Sequence, residues 1–108
     1  MELLPIKQIN ENLLKLSNWN LEDNGKSIIK NFKFNDFKEA VDFINKISGV
    51  AETENHHPDI KLYDYSKIEI KLTTHSVKGL TGKDFKVAFE IDNICKNNKT
   101  QKLRKTFQ

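Results

Sequence analysis

The sequence of 108 residues has one cysteine, two prolines, four glycines and no long apolar segment. Cys95 alone cannot form an internal disulfide or supply several thiolates to a metal ion. No apolar run approaches the ~20 residues of a membrane-spanning helix, and residues 1–5 lack the basic and apolar regions of a signal peptide. The scattered glycines form no phosphate-binding loop. These absences predict a cytoplasmic protein that is not bound to a membrane.

Basic charge is concentrated near the carboxyl end of the chain. The net charge is +3, but residues 96–108 contain five basic residues and no acidic one. The first 95 residues therefore carry a net charge of −2, from 13 basic and 15 acidic side chains. Because this part has no excess of positive charge, we expect no direct binding to nucleic acid. We interpret residues 1–95 as a single domain and residues 96–108 as a basic tail, expected to be flexible.

Hydrophobic periodicity predicts three helices and two β-hairpins in the order α-β-β-α-β-β-α. Apolar residues at helical spacing mark three segments, and alternation with period two marks four strands. An Asn24-Gly25 turn joins the first pair of strands. Three amphipathic helices on one face of a four-stranded antiparallel sheet form an α+β two-layer sandwich. The predicted helices are residues 5–16, 36–48 and 81–95, the first hairpin is residues 19–34, and the second pairs residues 60–63 with 68–72.

Local signals mark where the second and third helices begin and end. Asp36 with Glu39, and Thr81 with Asp84, have the spacing of capping boxes at helix amino ends. Gly49 stands where a helix commonly ends in a left-handed residue. We therefore expect the second helix to end at Gly49.

All three histidines lie within twenty residues of one another, at His56, His57 and His75. Histidine suits proton exchange near neutrality because its ordinary pKa is about 6.5. Pro58 favours an extended conformation at His57, so the two adjacent rings should point in different directions. If the last strand continues to His75, period-two alternation places that side chain on the polar face of the sheet. The cluster therefore indicates a site for proton transfer.

The same cluster is also compatible with a metal site or with a purely structural role. Three histidines with a carboxylate could hold zinc, but diverging neighbours and the lack of a His-Glu-x-x-His helix argue against a metal site. Solvated histidines near a turn are also common. Glu52 and Asp84 could simply end and cap helices, and Trp19 is more often a packing residue than a ligand contact. Metal-free acid–base elimination or hydration of a small polar molecule fits the remaining features.

The combination of Glu52, His56-His57-Pro58, Tyr65, His75 and Asp84 resembles the signature of the pterin-4a-carbinolamine dehydratase family, also known as a dimerisation-cofactor family. The segments Thr73-Thr74-His75-Ser76 and Gly79-Leu80-Thr81 match that pattern as well, and the resemblance extends from about Ile9 to Cys95. It implies dehydration of 4a-hydroxytetrahydropterin to quinonoid dihydropterin, which recycles the tetrahydrobiopterin cofactor of aromatic amino acid hydroxylases. It also implies that neither a metal nor a bound cofactor is needed.

The resemblance further implies roles for individual residues. His56, His57 and His75 would line the pterin pocket, with His56 and His75 handling the proton given to the departing 4a-hydroxyl. His57 would position the ring and Glu52 would orient the histidines, while Trp19 and Asp84 are further substrate-binding candidates. Members of the family form dimers or tetramers of two dimers. A non-catalytic role in assembly or as a transcriptional coactivator partner is the alternative function.

Overall fold

The computed structural model describes residues 2–97 and has the predicted order of elements. Three helices and a four-stranded antiparallel sheet form an α+β fold, as the sequence predicted. A short 3₁₀ helix, His75–Val77, follows the last strand. The elements are α1 (Ile6–Leu14), β1 (Asn20–Leu21), β2 (Ile28–Lys33), α2 (Phe37–Glu54), β3 (Asp59–Tyr63), β4 (Lys67–Leu72) and α3 (Gly82–Asn97).

The strands lie in the order β1-β2-β4-β3, and every neighbouring pair is antiparallel. Both predicted hairpins are present, and the sheet is completed by pairing β2 of the first hairpin with β4 of the second. In this central pair Phe32 lies opposite Ile68, and Lys30 opposite Ile70. The strand β3 therefore forms one edge of the sheet, and it begins directly after the His56-His57-Pro58 segment.

One face of the sheet and all three helices share a single hydrophobic core. Ile28 and Phe32 of β2 are buried, whereas the two neighbours of Phe32, Asn31 and Lys33, are exposed. This is the alternation with period two that a strand with one buried face shows. Phe43 of α2 contacts the aromatic rings of Phe32 and Phe34, with centroids 4.9 and 5.0 Å apart. Burial of these apolar side chains holds the helices against the sheet. The other fully buried core residues include Ile47, Ile68, Ile70, Leu72, Val87, Ala88 and Ile91.

The end of α2 differs from the prediction. The helix continues through Gly49 to Glu54, and the left-handed residue is Asn55, with φ of 52°. The backbone N–H of His56 donates to the carbonyl of Ala51 at 3.0 Å, which is the bond that closes a Schellman motif. Buried Ala51 extends the apolar stripe past Gly49, and its packing outweighs the weak helix propensity of glycine. The predicted stop at Gly49 is therefore wrong.

The ends of the other two helices differ slightly from the predicted ones. The first helix stops at Leu14 rather than at residue 16, and Ile6 near its start is exposed. Ile9 supplies the buried contact of α1. The last helix runs to Asn97, and the rest of the predicted tail lies outside the described residues. Among residues 2–97, no helix has the length and apolar character needed to cross a membrane.

Candidate active site

His56 is held by a buried carboxylate on a different helix. Its Nε2 lies 2.6 Å from Oδ1 of Asp84, and the side chains are 10% and 0% exposed. The left-handed Asn55 reverses the chain after α2, which turns His56 back toward the first turn of α3. The sequence predicted that both residues belong to the site but did not predict that they touch.

Asp84 also accepts hydrogen bonds from two threonines. Its Oδ2 accepts the backbone N–H of Thr81 at 3.0 Å, so the predicted capping box is confirmed. The same oxygen accepts the Thr74 hydroxyl at 2.7 Å. Since Oδ1 faces His56, both carboxylate oxygens are occupied by protein groups. The geometry thus places Asp84 in contact with His56, and the substrate contact suggested for Asp84 stays a prediction.

With Asp84 as a carboxylate, the donor in the His56–Asp84 bond is the histidine. A carboxylate bonded to an amide N–H and a hydroxyl acts as an acceptor. Nε2 of His56 therefore carries the proton that is shared with Asp84. When the ring is neutral, Nδ1 is then the unprotonated nitrogen. This tautomer is assigned from the hydrogen-bond pattern. His56 can accept or return a proton at Nδ1 without breaking its bond to Asp84.

His57 forms a separate pair with Glu52, which lies in the last turn of α2. Its Nε2 is 2.5 Å from Oε2 of Glu52, and the side chains are 58% and 76% exposed. The adjacent rings therefore diverge as Pro58 suggested, because His56 contacts α3 while His57 contacts α2. A glutamate at a helix carboxyl end is unfavourable beside the helix dipole. At this position Glu52 instead makes its contact with His57.

The end of α2 is fixed to α3 near both histidines. The Lys83 side chain donates from Nζ to the backbone carbonyl of Glu54 at 2.7 Å. A cation at this position satisfies one of the open carbonyls of the helix and suits its negative end. The segment that carries His56 and His57 therefore starts from an anchored helix terminus.

His75 is exposed and begins the 3₁₀ helix rather than continuing a strand. The strand β4 ends at Leu72, so period-two alternation does not reach His75. Its loop is closed by a bridge in which the N–H of Thr74 donates to Gly79 at 2.8 Å and the N–H of Gly79 donates back at 3.3 Å. His75 follows Thr74 directly, and Thr74 contacts Asp84. The fold thus brings the His75 loop to the same carboxylate that holds His56.

Trp19 belongs to a different buried cluster. Its indole N–H donates to Oδ1 of Asp92 at 3.0 Å, and the side chain of Trp19 is buried. The Lys30 ammonium lies 2.9 Å from the same oxygen, and the N–H of Ser17 donates to Oδ2 at 3.1 Å. Packing, the favoured interpretation of Trp19, accounts for its position, and its contacts are to Asp92 rather than to the histidines. The substrate contact suggested for Trp19 stays a prediction.

Sequence reasoning missed Lys30 and Asp92. Lys30 lies between Ile28 and Phe32 in β2, where the alternation that identifies the strand also places it on the buried face. That signal was available in the sequence. The partner of Lys30 was not, because Asp92 is 62 positions away and reaches it only when α3 packs on the sheet.

Two of the three histidines form histidine–carboxylate pairs, His56 with Asp84 and His57 with Glu52. Within the described range 2–97, no three histidine, cysteine, aspartate or glutamate side chains are placed so that they could hold one metal ion. Chemically, the described groups can hold imidazole rings in fixed orientation and exchange protons.

Comparisons with known proteins find related sequences over most of the chain. A family model described as "Pterin 4 alpha carbinolamine dehydratase" matches residues 2–94. A relative from Sulfurisphaera tokodaii is 45% identical over 94 residues, which are 87% of this chain and 98% of that protein. A relative from Trichodesmium erythraeum is 44% identical over 93 residues, covering 86% and 97%. The names of both assign them provisionally to the pterin-4-alpha-carbinolamine dehydratases.

Solved structures show the same fold. The crystal structure of a "transcriptional coactivator/pterin dehydratase" from Brucella melitensis has a TM-score of 0.81 at 33% identity, covering 86% of this chain and 98% of that one. A pterin dehydratase-like protein described as a RuBisCO assembly factor of the alpha-carboxysome has a TM-score of 0.60 at 17% identity, covering 71% and 88%. The second likeness concerns the fold alone.

Proposed function

The chain belongs to the pterin 4 alpha carbinolamine dehydratase family, and from this we propose that it converts a 4a-hydroxytetrahydropterin to quinonoid dihydropterin and water. The observation that carries the proposal is the His56–Asp84 pair, in which a buried carboxylate holds a histidine ring at 2.6 Å. A ring held in this way is suited to general acid–base catalysis, which requires a proton-exchanging group in fixed geometry.

The reaction needs two proton transfers and no change in oxidation state. The C4a–O bond breaks and the hydroxyl leaves as water after gaining a proton. The proton on N5 is lost as the double bond between C4a and N5 forms. We assign these transfers to His56, acting at Nδ1, and to His75, which is exposed and follows the threonine that contacts Asp84.

His57 and Glu52 have a positioning role in this proposal. Their exposed pair stands at the start of the segment leading into β3. His57 would contact the pterin ring, and Glu52 would hold the His57 ring through Nε2. An exposed ion pair contributes little to stability, so we expect these two residues to affect substrate affinity more than folding.

The proposal extends to the setting of the enzyme. We place it in the cytoplasm, recycling a tetrahydrobiopterin-type cofactor, without a metal or bound cofactor of its own. We also propose a homodimer or homotetramer. Among the described residues, the outer edge of β3 has no partner strand, and pairing such edges across a two-fold axis protects them from non-specific association. Sedimentation equilibrium would test this, since a monomer at micromolar concentration would contradict it.

A direct assay tests the proposed activity. The protein is mixed with freshly generated 4a-hydroxytetrahydropterin, and the ultraviolet change is compared with that of the uncatalysed reaction. We expect a rate enhancement proportional to enzyme concentration. Wild-type protein that is folded but gives no enhancement would contradict the proposal.

A non-catalytic role is the second candidate. The 33% identical Brucella melitensis structure is titled both a transcriptional coactivator and a pterin dehydratase. A coactivator or assembly partner using this scaffold would not require histidines in fixed geometry. The direct assay separates the two functions, because an inactive folded protein would favour the second.

A further inference from the structure

Thr74 lies between the two histidines proposed to transfer protons. It precedes His75 in the chain, and its side chain is buried. Its hydroxyl donates to Oδ2 of Asp84 at 2.7 Å, while Oδ1 of Asp84 lies 2.6 Å from Nε2 of His56. A single buried residue is thus bonded to the carboxylate that holds one histidine and covalently linked to the other.

The hydrogen bonds around Thr74 have a fixed direction. A threonine hydroxyl has one proton to donate, and that of Thr74 is donated to Asp84. In the 2.9 Å contact between the two threonine hydroxyls, Thr81 is therefore the donor. The Thr81 oxygen accepts the backbone N–H of Lys83 at 3.3 Å. A chain of bonds thus leads from the first turn of α3 through both threonines to Asp84, and such chains strengthen one another inside a protein.

The backbone of Thr74 fixes the loop that carries His75. Besides the bridge to Gly79, the N–H of Val77 donates to the carbonyl of Thr74 at 3.2 Å. The side chain and backbone of Thr74 therefore act on different histidines.

We propose that Thr74 is a positioning residue that fixes His56 and His75 relative to each other. Its hydroxyl holds the Asp84 carboxylate with Oδ1 toward His56, and its backbone holds the loop of His75. The consequence for catalysis rests on the proposed dehydratase function, whereas the effect on the His56 ring does not. Buried threonines also serve only to satisfy hydrogen bonds, so the test must measure the orientation of the ring.

The test replaces Thr74 with valine, which keeps the branched shape and removes the hydroxyl. We expect kcat to fall about 10- to 100-fold with little change in KM, because small displacements of a catalytic group have effects of this size. In ring nitrogen NMR spectra, the neutral His56 of the wild type should show a protonated Nε2, and the variant should show a mixture of tautomers. Thr74→Ser, which restores the hydroxyl, should recover both properties.

Thr73→Val is the matched control. Thr73 is the neighbouring threonine, but its hydroxyl donates to the backbone carbonyl of Lys26 at 2.6 Å, with the carbonyl oxygen of Gly79 farther away at 3.5 Å. The control should leave kcat and the His56 spectrum close to those of the wild type. If Thr74→Val does not fold, Thr74→Ala removes the same hydroxyl without an additional methyl group and is measured in its place.

The outcomes separate the two proposals. A His56 spectrum like that of the wild type in folded Thr74→Val would overturn the positioning role. A fall in kcat in Thr74→Ser as large as that in Thr74→Val would also overturn it. If the spectrum changes as expected but the wild-type protein does not accelerate the reaction, the positioning role stands and the dehydratase function fails.

Discussion

Nε2 of His56 and Oδ1 of Asp84 are 2.6 Å apart although 28 positions separate the residues in the chain. The bond joins the segment after α2 to the first turn of α3, and it is largely shielded from water. A histidine–carboxylate contact in such surroundings orients the ring more strongly than the exposed contact between His57 and Glu52 does. The two pairs should therefore respond differently to substitution.

Asp84→Asn should impair both activity and stability. The amide keeps the size of the carboxylate but has one acceptor oxygen for the three donors that surround it, from His56, Thr74 and Thr81. A buried donor left without a partner costs about 1–3 kcal/mol. We expect a loss of that size in the free energy of unfolding, measured by urea denaturation, and a fall in kcat. Asp42→Asn, at an exposed ion pair with Lys38, is the control and should change stability by less than ~0.5 kcal/mol. Full activity in Asp84→Asn would contradict the orienting role of Asp84.

His56 and His75 should each be needed for turnover. Alanine at either position should reduce kcat by roughly 10²–10⁴-fold, the range for loss of a general acid or base. His56→Gln should be equally inactive yet fold normally, because glutamine can still donate to Asp84 but cannot exchange protons. Single-turnover assays and circular dichroism would check both properties. Near wild-type rates in both alanine variants would remove the histidines from the mechanism.

Substitution at the exposed pair should act differently. His57→Ala and Glu52→Ala should raise KM and leave the free energy of unfolding almost unchanged, because exposed ion pairs contribute about 0–1 kcal/mol. Both side chains are more than half exposed. Steady-state kinetics over a range of pterin concentrations would separate KM from kcat. A loss of kcat as large as that of His56→Ala would instead place His57 among the proton-transfer residues.

Lys30→Met should destabilise the protein without directly affecting the histidines. It removes the ammonium 2.9 Å from Asp92 and leaves the buried carboxylate, among the residues that the structure describes, with the Trp19 and Ser17 donors. Breaking a buried pair on one side typically costs about 3–5 kcal/mol. The double variant Lys30→Met/Asp92→Asn should lose less free energy of unfolding than the two single variants together, because it no longer has the unpaired Asp92 charge. Urea denaturation of all four proteins measures this coupling, and strict additivity would show that the pair does not interact.

Gly49→Ala should stabilise the protein by about 1 kcal/mol, the difference between these residues in a helix interior. Gly49 lies inside α2, and a Cβ added there meets no atom within 4 Å. If Gly49 were the left-handed residue at the end of the helix, alanine would instead destabilise the protein. Thermal unfolding therefore distinguishes a helix that ends at Gly49 from one that continues through it. Asn55→Ala is the opposite control, because Asn55 has φ of 52° and alanine tolerates that region poorly.

Stability should depend on the ionisation of Glu22 at acidic pH. The Ser27 hydroxyl donates to the Glu22 carboxylate at 2.5 Å and the Lys71 ammonium lies 3.0 Å away, and these contacts lower the pKa of Glu22 below its ordinary 4.5. At pH values between the lowered and the ordinary pKa of Glu22, the unfolded chain binds more protons than the folded one. The stabilising contribution of Glu22 is therefore fully present above its ordinary pKa and is lost as the pH falls through its lowered pKa. NMR titration of Glu22 should show the lowered midpoint, and Ser27→Ala should move it upward. An unchanged midpoint in the variant would exclude the Ser27 bond as a cause.

Local sequence signals were sufficient for most of the architecture. Alternation in β2 and β4, helical spacing in α2 and α3, and the capping boxes at Asp36 and Thr81 each depend on residues within a few positions of one another. Such features are decided by side-chain direction and by backbone hydrogen bonds that any chain with that pattern can form. The set of candidate site residues was likewise readable from the sequence, through its resemblance to one family.

The sequence by itself therefore determined the order of elements, the buried faces and the set of candidate histidines. Only the tertiary structure decided which carboxylate meets which histidine, because Asp84 reaches His56 through the packing of α3 beside α2. It also decided where α2 ends, since buried Ala51 favours continuing the helix past Gly49 until Asn55 closes it. Contacts between distant residues depend on how whole elements pack, and no short stretch of sequence contains that information.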